Sequence, residues 1–499
     1  MTERTTTAST TGAVTGTAPV LSRNPLTAGG WSGLSFIAAN VIGGLLYIPL
    51  ARRLTPAEFG LFAEANLLFL ALALLAEGAV VQVLVQMRGD PDGLARAALW
   101  LGTALGLLGT VLCLLGAPLM AAVYDDPELV PLLVLMAPGI ALAGLGAVPH
   151  ALLARELDFR RKTLPETLSV AAGGTAALAA AFAGLGAYSL GLMAVAQPAA
   201  STATAWWVTR RRPRFFPMQQ PRDLRRVARL WAGVAAGDVA LYARLNTDYA
   251  LTGRLLGADA LGLYSVAWAT SAGPLLFITA FTGRVSLAVF SRLQHDRPRL
   301  CRVFLSAVRV IAAAAVPVFL AAAVLTPELV VVLLGRRWQA AVVPAAVLFG
   351  LQLVRTLAGP GASLVLALGH GRLYALLGLA ALPATVLAVL VGTQGGVTGV
   401  AVAMLLAVGG TSAAYLVFGW RLAGAGPRDA VAALWPGVVA ALATVPPVAL
   451  IRWATLAAGW PAAARLALAL AVGVAALAVA AWRLWPGLRA DLERLRHAA

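Results

Sequence analysis

Residues 60–86, GLFAEANLLFLALALLAEGAVVQVLVQ, form an apolar run that contains only two charged side chains, Glu64 and Glu77. About twenty consecutive apolar residues are enough for a helix to cross the hydrocarbon core of a bilayer. Similar runs recur along the 499-residue chain, which is 60% hydrophobic and 12% charged and has a mean hydropathy of +0.84. This pattern predicts an all-α polytopic membrane protein.

The apolar runs delimit about 14 transmembrane helices when each span is given roughly 20 residues. The predicted spans are 31–50, 60–86, 97–122, 129–153, 165–184, 186–208, 229–251, 263–290, 303–325, 339–368, 374–392, 396–419, 430–451 and 461–484. Residues 327–338 between two of these spans are predicted to be re-entrant or interfacial. Residues 1–25 are rich in Thr, Ser, Ala and Gly, and we expect a disordered cytoplasmic tail there.

The basic residues lie mainly in alternate segments between the apolar runs, and the densest group is RRRPRFFPMQQPRDLRR at 210–226. Loops on the cytoplasmic side retain Lys and Arg, so this asymmetry predicts that both termini are cytoplasmic. The net charge of +17 does not indicate nucleic-acid binding, because the basic residues are in these loops and no nucleic-acid motif accompanies them.

Two sequence matches indicate an internal repeat. ARRLTPAEFGLF at 51–62 is similar to TGRLLGADALGLY at 252–264, and DPEL at 126–129 is similar to TPEL at 326–329. Each half has six helices, an even number, so the two repeats are predicted to be parallel, as in two-lobed transporters. The predicted organisation is tail 1–25, N-lobe 26–209 with helices 1–6, basic cytoplasmic linker 210–228, C-lobe 229–420 with helices 7–12, and helices 13–14 with a cytoplasmic tail at 421–499.

Sequence signatures of catalysis are missing. The chain has no phosphate-binding glycine loop and no His or Cys set with metal-ligand spacing, and its two cysteines give no disulfide framework. The four histidines lie near predicted loops or the tail and are expected to be interfacial rather than ligands. We therefore predict a transporter and not an enzyme, with no cofactor and no metal.

Charged side chains inside predicted spans are the candidate functional groups, because they are costly in lipid and usually face a cavity or a partner. They are Glu64, Glu77, Asp238, Arg244, Asp248, Arg284 and Arg355. Arg244 and Asp248 are four residues apart, so a purely structural ion pair on one helix face is an alternative. Arg284 and Arg355 have no such neighbour and need either a carboxylate on another helix or an anionic cargo.

Other arginines are expected to be structural. Arg309 and Arg465 lie one to two turns inside their spans and are predicted to snorkel to the headgroups. The pairs Arg52–Arg53 and Arg336–Arg337 are in predicted outer loops, where contact with lipid phosphate and simple solvation are both open.

Four segments carry a resemblance to a known family. They are residues 60–86, ARELDFRRKTLPETLS at 154–169, NTDYALTGRLLGADALGLYS at 246–265, and PELVVVLLGRRWQAAVVPAAVL at 327–348. They resemble the polysaccharide biosynthesis (Wzx-type) flippases of the multidrug/oligosaccharidyl-lipid/polysaccharide (MOP) exporter superfamily. The resemblance implies two lobes around a cavity and alternating access for an undecaprenyl-diphosphate-linked oligosaccharide in exopolysaccharide or lipopolysaccharide assembly.

The resemblance also implies roles for the charged residues and for partners. By their positions in matching helices, Arg244, Arg284 and Arg355 are expected to bind the diphosphate. Membrane lipids, a polysaccharide polymerase and glycosyltransferases are the expected partners. Two alternatives stay open: a cation-coupled small-molecule antiporter and a membrane scaffold for glycan-assembly enzymes. The antiporter would use the carboxylates Glu64, Glu77, Asp238 and Asp248 as proton or sodium sites.

Overall fold

The computed structural model describes residues 40–86, 91–155, 159–210 and 221–498. Within these ranges it describes all side chains except those of residues 91–92, 159–160, 221, 275–286, 288 and 496–498. Regular structure in these ranges is helical throughout, as the all-α prediction requires. The predicted tail 1–25 and part of the predicted linker lie outside them. The α-helices are α1 40–53, α2 Pro56–Ala73, α3 Ala79–Gln86, α4 Pro91–Tyr124, α5 Leu129–Met136, α6 Pro138–Arg155, α7 Phe159–Phe182, α8 Ala187–Val208, α9 Pro221–Arg292, α10 Arg297–Leu329, α11 Val342–Ala367, α12 Gly371–Gly392, α13 Gly396–Ala423, α14 Pro427–Ala457 and α15 Ala462–Ala498.

Several long helices contain a local interruption. A π-helical turn, Leu74–Gly78, joins α2 to α3. Gly257 has a φ of 83° and divides α9 into a first segment, 221–256, and a second segment, 258–292. Between α10 and α11 lie a π-helical turn, Val330–Leu334, and a 3-10 helix, Arg336–Ala341, which overlap the region 327–338 predicted to be re-entrant or interfacial.

The helices have the length and the surface of membrane spans. Eight helical stretches of the described chain are long and apolar enough to cross a bilayer. Large apolar side chains such as Leu115, Leu406 and Trp482 are mostly exposed on the outside of the bundle, where lipid would cover them. The number of crossings stays a prediction.

Each half of the chain has a core of its own, and a further buried cluster that includes Phe59 and Trp338 joins the two halves. In the first half α2, α5 and α8 pack around Leu132, Leu133 and Met136. In the second half α10, α11 and α13 pack around residues such as Phe304 and Leu364. Helices α14 and α15 pack against each other and against α10.

The repeated segments themselves meet at one end of the bundle. A Cβ atom built on Gly60 would lie 1.8 Å from the carbonyl oxygen of Ala258, and one built on Gly262 would lie 1.8 Å from that of Pro56. Gly60 and Gly262 occupy corresponding places in the two similar segments. A reciprocal contact of this kind is expected when parallel repeats are related by an axis along the membrane normal. The exact lobe boundaries stay a prediction.

The first segment of α9 begins earlier than the predicted span and packs on the first half. Helix α9 starts at Pro221, so its first turns overlap the predicted linker 210–228. Leu224, Val227 and Trp231 recur at helical spacing and contact the core formed by α3, α4 and α6. The hydroxyl of Tyr242 donates to the Leu67 carbonyl at 2.9 Å. This helix therefore connects the two halves.

Two buried carboxylates attach α14 and α15 to α10. Glu328 on α10 lies 2.8 Å from Arg452 Nε and 3.3 Å from Arg465 Nη2. Asp491 on α15 accepts hydrogen bonds from Arg309 at 2.9 Å and from the Ser306 hydroxyl at 2.6 Å. The prediction that Arg309 and Arg465 snorkel to headgroups was wrong, because each has a carboxylate partner on a neighbouring helix that is far away in the sequence.

Candidate functional site

A cavity of about 310 Å³ lies between the two halves, bounded by α1, α2, α7, α8 and both segments of α9. Its polar lining consists of neutral side chains that can donate or accept hydrogen bonds. These are Tyr47, Asn66, Gln197, Tyr242, Asn246, Tyr249 and Ser265. This central cavity can therefore bind an uncharged polar group, such as one with many hydroxyls.

An apolar groove of about 870 Å³ adjoins the central cavity. Gly43, Tyr47, Val170 and Ala269 line both spaces. The rest of the groove is formed mainly by small and aliphatic residues of α1, α10, α14, α15 and the second segment of α9. A molecule with a polar part and a long apolar part matches the two adjoining spaces.

Arg355 on α11 lies in the second half beside an aromatic ring. Its guanidinium carbon is 5.7 Å from the ring centroid of Trp268, and its Nη1 donates to Gln352 Oε1 at 3.1 Å. Arg244, on the first segment of α9, is close enough for the two guanidinium groups to repel each other. Two like charges in a half-buried region attract an anion.

Asp248, four residues after Arg244 on the first segment of α9, is buried. Its Oδ2 accepts a hydrogen bond from the Tyr264 hydroxyl at 2.6 Å, while Oδ1 has no hydrogen-bond partner in the described part of the chain. Asp248 and Arg355 attract each other electrostatically. Within the described side chains Arg244 and Asp248 do not form the local ion pair that helical spacing allows.

Aromatic side chains connect this charged group with the central cavity. Tyr249 lines the cavity, and its ring is 5.4 Å from that of Tyr264 and 6.5 Å from that of Trp268, in edge-to-face arrangements. Since Trp268 also faces Arg355, Tyr249 separates the cavity from the guanidinium. Arg244 and Arg355 themselves do not line the two cavities described here.

Comparison with known proteins identifies the family. A family model described as "polysaccharide biosynthesis protein" matches residues 49–343. The chain belongs to this polysaccharide biosynthesis family. The family resemblance predicted from the sequence is confirmed.

Curated relatives are about a quarter identical to the chain over the aligned residues. A succinoglycan biosynthesis transport protein of Rhizobium meliloti is 25% identical over 310 residues, 62% of each chain. A teichuronic acid biosynthesis protein of Bacillus subtilis is 23% identical over 71% of this chain and 74% of its own length. A lipopolysaccharide biosynthesis protein of Escherichia coli is 24% identical over 68% of both. The alignment thus spans less than two thirds of the succinoglycan protein.

Solved structures with a similar fold include a lipid flippase and a multidrug transporter. The lipid II flippase MurJ, in an inward closed conformation, has a TM-score of 0.70 at 11% identity, over 92% of this chain and 99% of that one. An outward-facing multidrug resistance MATE transporter of the MOP superfamily has a TM-score of 0.54 at 14% identity, over 81% and 97%. At these identities the likeness concerns fold, and it confirms the prediction of a polytopic all-α MOP architecture.

The structure separates the predicted site residues into three places. Arg244, Arg355 and Asp248 lie together in the second half, whereas the side chain of Arg284 is outside the described part of this family member. Glu64 is buried near Gly253, and its Oε2 has no hydrogen-bond partner among the described residues. The remaining two lie toward α3. Asp238 accepts a hydrogen bond from Gln82 at 2.9 Å, and Glu77 lies 4.0 Å from His150.

Neutral cavity residues were missed by reasoning from charge. Asn66 and Gln197 line the central cavity, and each is an amide within an otherwise apolar run. A single amide in such a run costs free energy in lipid unless it faces a polar space, so this signal was available. Tyr242, Tyr249 and Ser265 occur among other polar residues and offered no comparable signal.

Proposed function

We propose that this protein translocates a lipid-linked oligosaccharide across the plasma membrane by alternating access. The observation that carries the proposal is the polar central cavity that opens onto an apolar groove through shared residues. A small polar solute does not need the groove, and an apolar solute does not need the ring of amides and hydroxyls. The family and its relatives in succinoglycan and teichuronic acid biosynthesis support a glycan cargo.

Each part of the cargo has a chemical counterpart. Sugar hydroxyls form hydrogen bonds with amides and phenols such as Asn66, Gln197 and Tyr242. A polyprenyl tail fits the apolar groove, where burial of each methylene is favourable by about 0.8 kcal/mol. The cargo crosses unchanged, so no catalytic group is required.

The diphosphate is assigned to the arginines of the second half. Guanidinium remains charged and donates two parallel hydrogen bonds to a phosphate, and Arg244 and Arg355 give two such groups in one region. Arg284 is kept as a third candidate from its position in the sequence. Rotation of Tyr249, which lies between Trp268 and the cavity, would bring the diphosphate to Arg355.

The cellular setting follows from the same proposal. The protein is a multi-pass component of the bacterial inner membrane with both termini in the cytoplasm. It receives its cargo from membrane-bound glycosyltransferases and delivers it to a polysaccharide polymerase, which we place among its partners by family analogy. Membrane potential acting on bound charge would contribute about 2.3 kcal/mol per elementary charge per 100 mV.

Gene deletion in the host tests the proposal. Lipid-linked glycans are measured by mass spectrometry in whole membranes and on the cell surface, before and after complementation. Accumulation of an undecaprenyl-diphosphate oligosaccharide with loss of surface polymer is the expected result. An unchanged glycan profile in the deletion strain would refute a role in glycan translocation.

A cation-coupled antiporter is the second candidate, because Glu64 is buried with an oxygen that has no partner among the described residues. The fold is shared with multidrug transporters, although these show fold alone. Under this function, Glu64→Gln and Asp248→Asn abolish resistance to a cationic compound while glycan export stays normal. The reverse pattern, normal resistance with loss of export, excludes it.

A further inference from the structure

A second group of polar side chains lies in the first half, outside the central cavity and the groove. Glu77 is on the π-helical turn, His150 on α6 and Ser201 on α8. His150 Nε2 lies 3.0 Å from Ser201 Oγ and 4.0 Å from Glu77 Oε1. The His150 side chain is 14% exposed and that of Glu77 is 38% exposed, so a proton can reach the carboxylate while the imidazole is largely enclosed.

The surroundings of this group are apolar. Val80, Ala147, Val148 and Ala151, which are close to Glu77 or His150 along the chain, belong to one apolar cluster and are fully buried. Helix α8 has no charged residue, and α3 has none. Charged groups on the elements packed nearby include Glu64 on α2, Arg96 on α4, Arg155 on α6, Arg161, Lys162 and Glu166 on α7, and Arg229 and Asp238 on the first segment of α9. Among them, Lys162 acts electrostatically on His150 and is itself 3.8 Å from Glu166.

Binding of one proton changes the charge of this group. Without the proton, the carboxylate is negative and the imidazole is neutral, and Nε2 shares a hydrogen bond with the Ser201 hydroxyl. With the proton, the group is neutral overall, either as a carboxylic acid beside an imidazole or as a carboxylate beside an imidazolium that donates to Ser201. A change from one negative charge to none matters in an apolar helix bundle, where an isolated charge is costly.

The π-helical turn connects Glu77 with the helix that joins the two halves. In this turn the amide of Ala79 donates to the Leu74 carbonyl, five residues back. The Leu75 carbonyl therefore loses its usual α-helical donor, and the indole of Trp231 donates to it at 3.0 Å. Trp231 is on the first segment of α9. Single π-helical turns are frequent at functional sites. This one leaves the Leu75 carbonyl available for the hydrogen bond from Trp231, which links α9 to the first half.

We propose that Glu77, His150 and Ser201 form a proton-binding site whose occupancy sets the position of the first segment of α9 through the π-helical turn. The proton, not a metal ion or the cargo, is the ligand. This inference rests on the proposed transport function, because the site would couple a proton gradient to the relative position of the halves. Its measurement does not require cargo.

The test measures distance across the halves as a function of pH. Spin labels are placed at Trp207, at the end of α8, and at Arg421, at the end of α13, which are both exposed, in a background with Cys113→Ala and Cys301→Ser. Distances are recorded by pulsed electron resonance on the full chain in lipid nanodiscs, from about pH 4 to about pH 8.5, a range that includes the ordinary pKa values of Glu and His. The variants are Glu77→Gln, His150→Gln and Ser201→Ala. Glu128→Gln, an exposed carboxylate at the other end of the bundle, is the matched control.

In the parent protein and in Glu128→Gln, we expect the distance between the labels to change with pH along a curve that fits the binding of one proton. Glu77→Gln should remain in the low-pH distribution at every pH, and Ser201→Ala should shift the midpoint without abolishing the change. Constant distances with pH in the parent protein overturn the proposal, and so does a pH response that persists in both Glu77→Gln and His150→Gln. Either result leaves the glycan measurement in the deletion strain standing, so failure of this site and failure of the transport function are distinguishable.

Discussion

Buried carboxylates of this chain differ in the partners that their oxygens have. Glu328 and Asp491 each lie within ion-pair distance of two arginines, which is the arrangement of a structural ion pair. Asp248 has a single hydroxyl partner, and Glu64 retains an unpartnered oxygen in the described part of the chain. Carboxylates left incompletely paired in an apolar interior are the ones to expect in function.

Arg355→Ala is expected to lower glycan export. Arg355→Ala removes the guanidinium beside Trp268, and a hydrogen bond to a charged group is worth about 1.5–3 kcal/mol. Glycan export, measured in a complemented deletion strain, should fall roughly 10- to 100-fold, and Arg355→Lys should restore part of it. Arg372→Ala, at the exposed start of α12, should export normally. Full export by Arg355→Ala would remove this residue from the site.

Sequence reasoning found charges but not their long-range partners. Asp248 and Arg355 were recognisable because a charge inside an apolar run is conspicuous. The partner of Arg309, by contrast, is Asp491, 182 residues away, and that of Arg452 is Glu328, 124 residues away. No local spacing rule reaches across such separations, so both ion pairs required the tertiary structure.

At the scale of elements, the sequence predicted spans better than their irregularities. The Thr55–Glu58 capping box and Pro56 at the first position mark the start of α2, and such signals are local. The π-helical turn at Leu74–Gly78 has no comparable signal, because the apolar run continues through it. The early start of α9 was missed because arginines and prolines at 210–226 suggested a linker, although Leu224, Val227 and Trp231 form an apolar stripe.

The contact between the repeats predicts an effect of glycine substitution. A methyl group on Gly262 would lie 1.8 Å from the Pro56 carbonyl, so α2 and α9 must separate, and overpacking costs about 1–3 kcal/mol. Thermal unfolding in detergent should begin several degrees lower for Gly262→Ala. Gly410→Ala is the matched control, since a Cβ there meets nothing within 4 Å. Equal unfolding temperatures for the two variants would contradict the close contact.

Loss of the ion pairs that attach α14 and α15 to α10 is expected to destabilise the protein. Glu328→Ala leaves Arg452 and Arg465 without their shared partner, and breaking a buried pair costs about 3–5 kcal/mol. The variant should unfold well below the parent protein in a thermal melt. Glu493→Ala removes an exposed pair with Arg489, a kind of pair worth about 0–1 kcal/mol. Comparable destabilisation by both variants would show that the Glu328 ion pairs do not hold these helices.

At the predicted outer end of the molecule, the halves also contact each other apart from the first segment of α9. Besides the glycine contact, the end of α1 and the 330–341 region exchange hydrogen bonds. Arg52 donates to the carbonyls of Val332 and Leu333, and the Trp338 indole donates to that of Ala51 at 2.8 Å. The conformation is therefore closed on that side. The sequence indicated two lobes but not their relative state, because that state depends on a few hydrogen bonds between residues about 280 positions apart.

Loss of these hydrogen bonds should open the outer end. Arg337 donates to the carbonyls of Arg53 and Leu54 at 2.9 and 3.1 Å, and each bond to a charged group is worth about 1.5–3 kcal/mol. Arg337→Ala should therefore increase the outward-open population roughly tenfold or more. The reporter is Ser265→Cys, a cavity position, in a protein that also has Cys113→Ala and Cys301→Ser. The measurement is the rate at which a membrane-impermeant maleimide labels this cysteine in intact cells.

Arg336 provides the control for this experiment, because it is an exposed neighbour of the same charge that makes no hydrogen bond or ion pair in the described part of the chain. Arg336→Ala lowers the net charge of the outer end as much as Arg337→Ala does, so an effect of charge alone would accelerate labelling in both variants. Hydrogen bonding between the halves predicts acceleration only for Arg337→Ala. Labelling at the parent rate in Arg337→Ala would mean that the apolar contact around Trp338, which packs edge-to-face on Phe59 at 5.2 Å, is sufficient to keep the outer end closed.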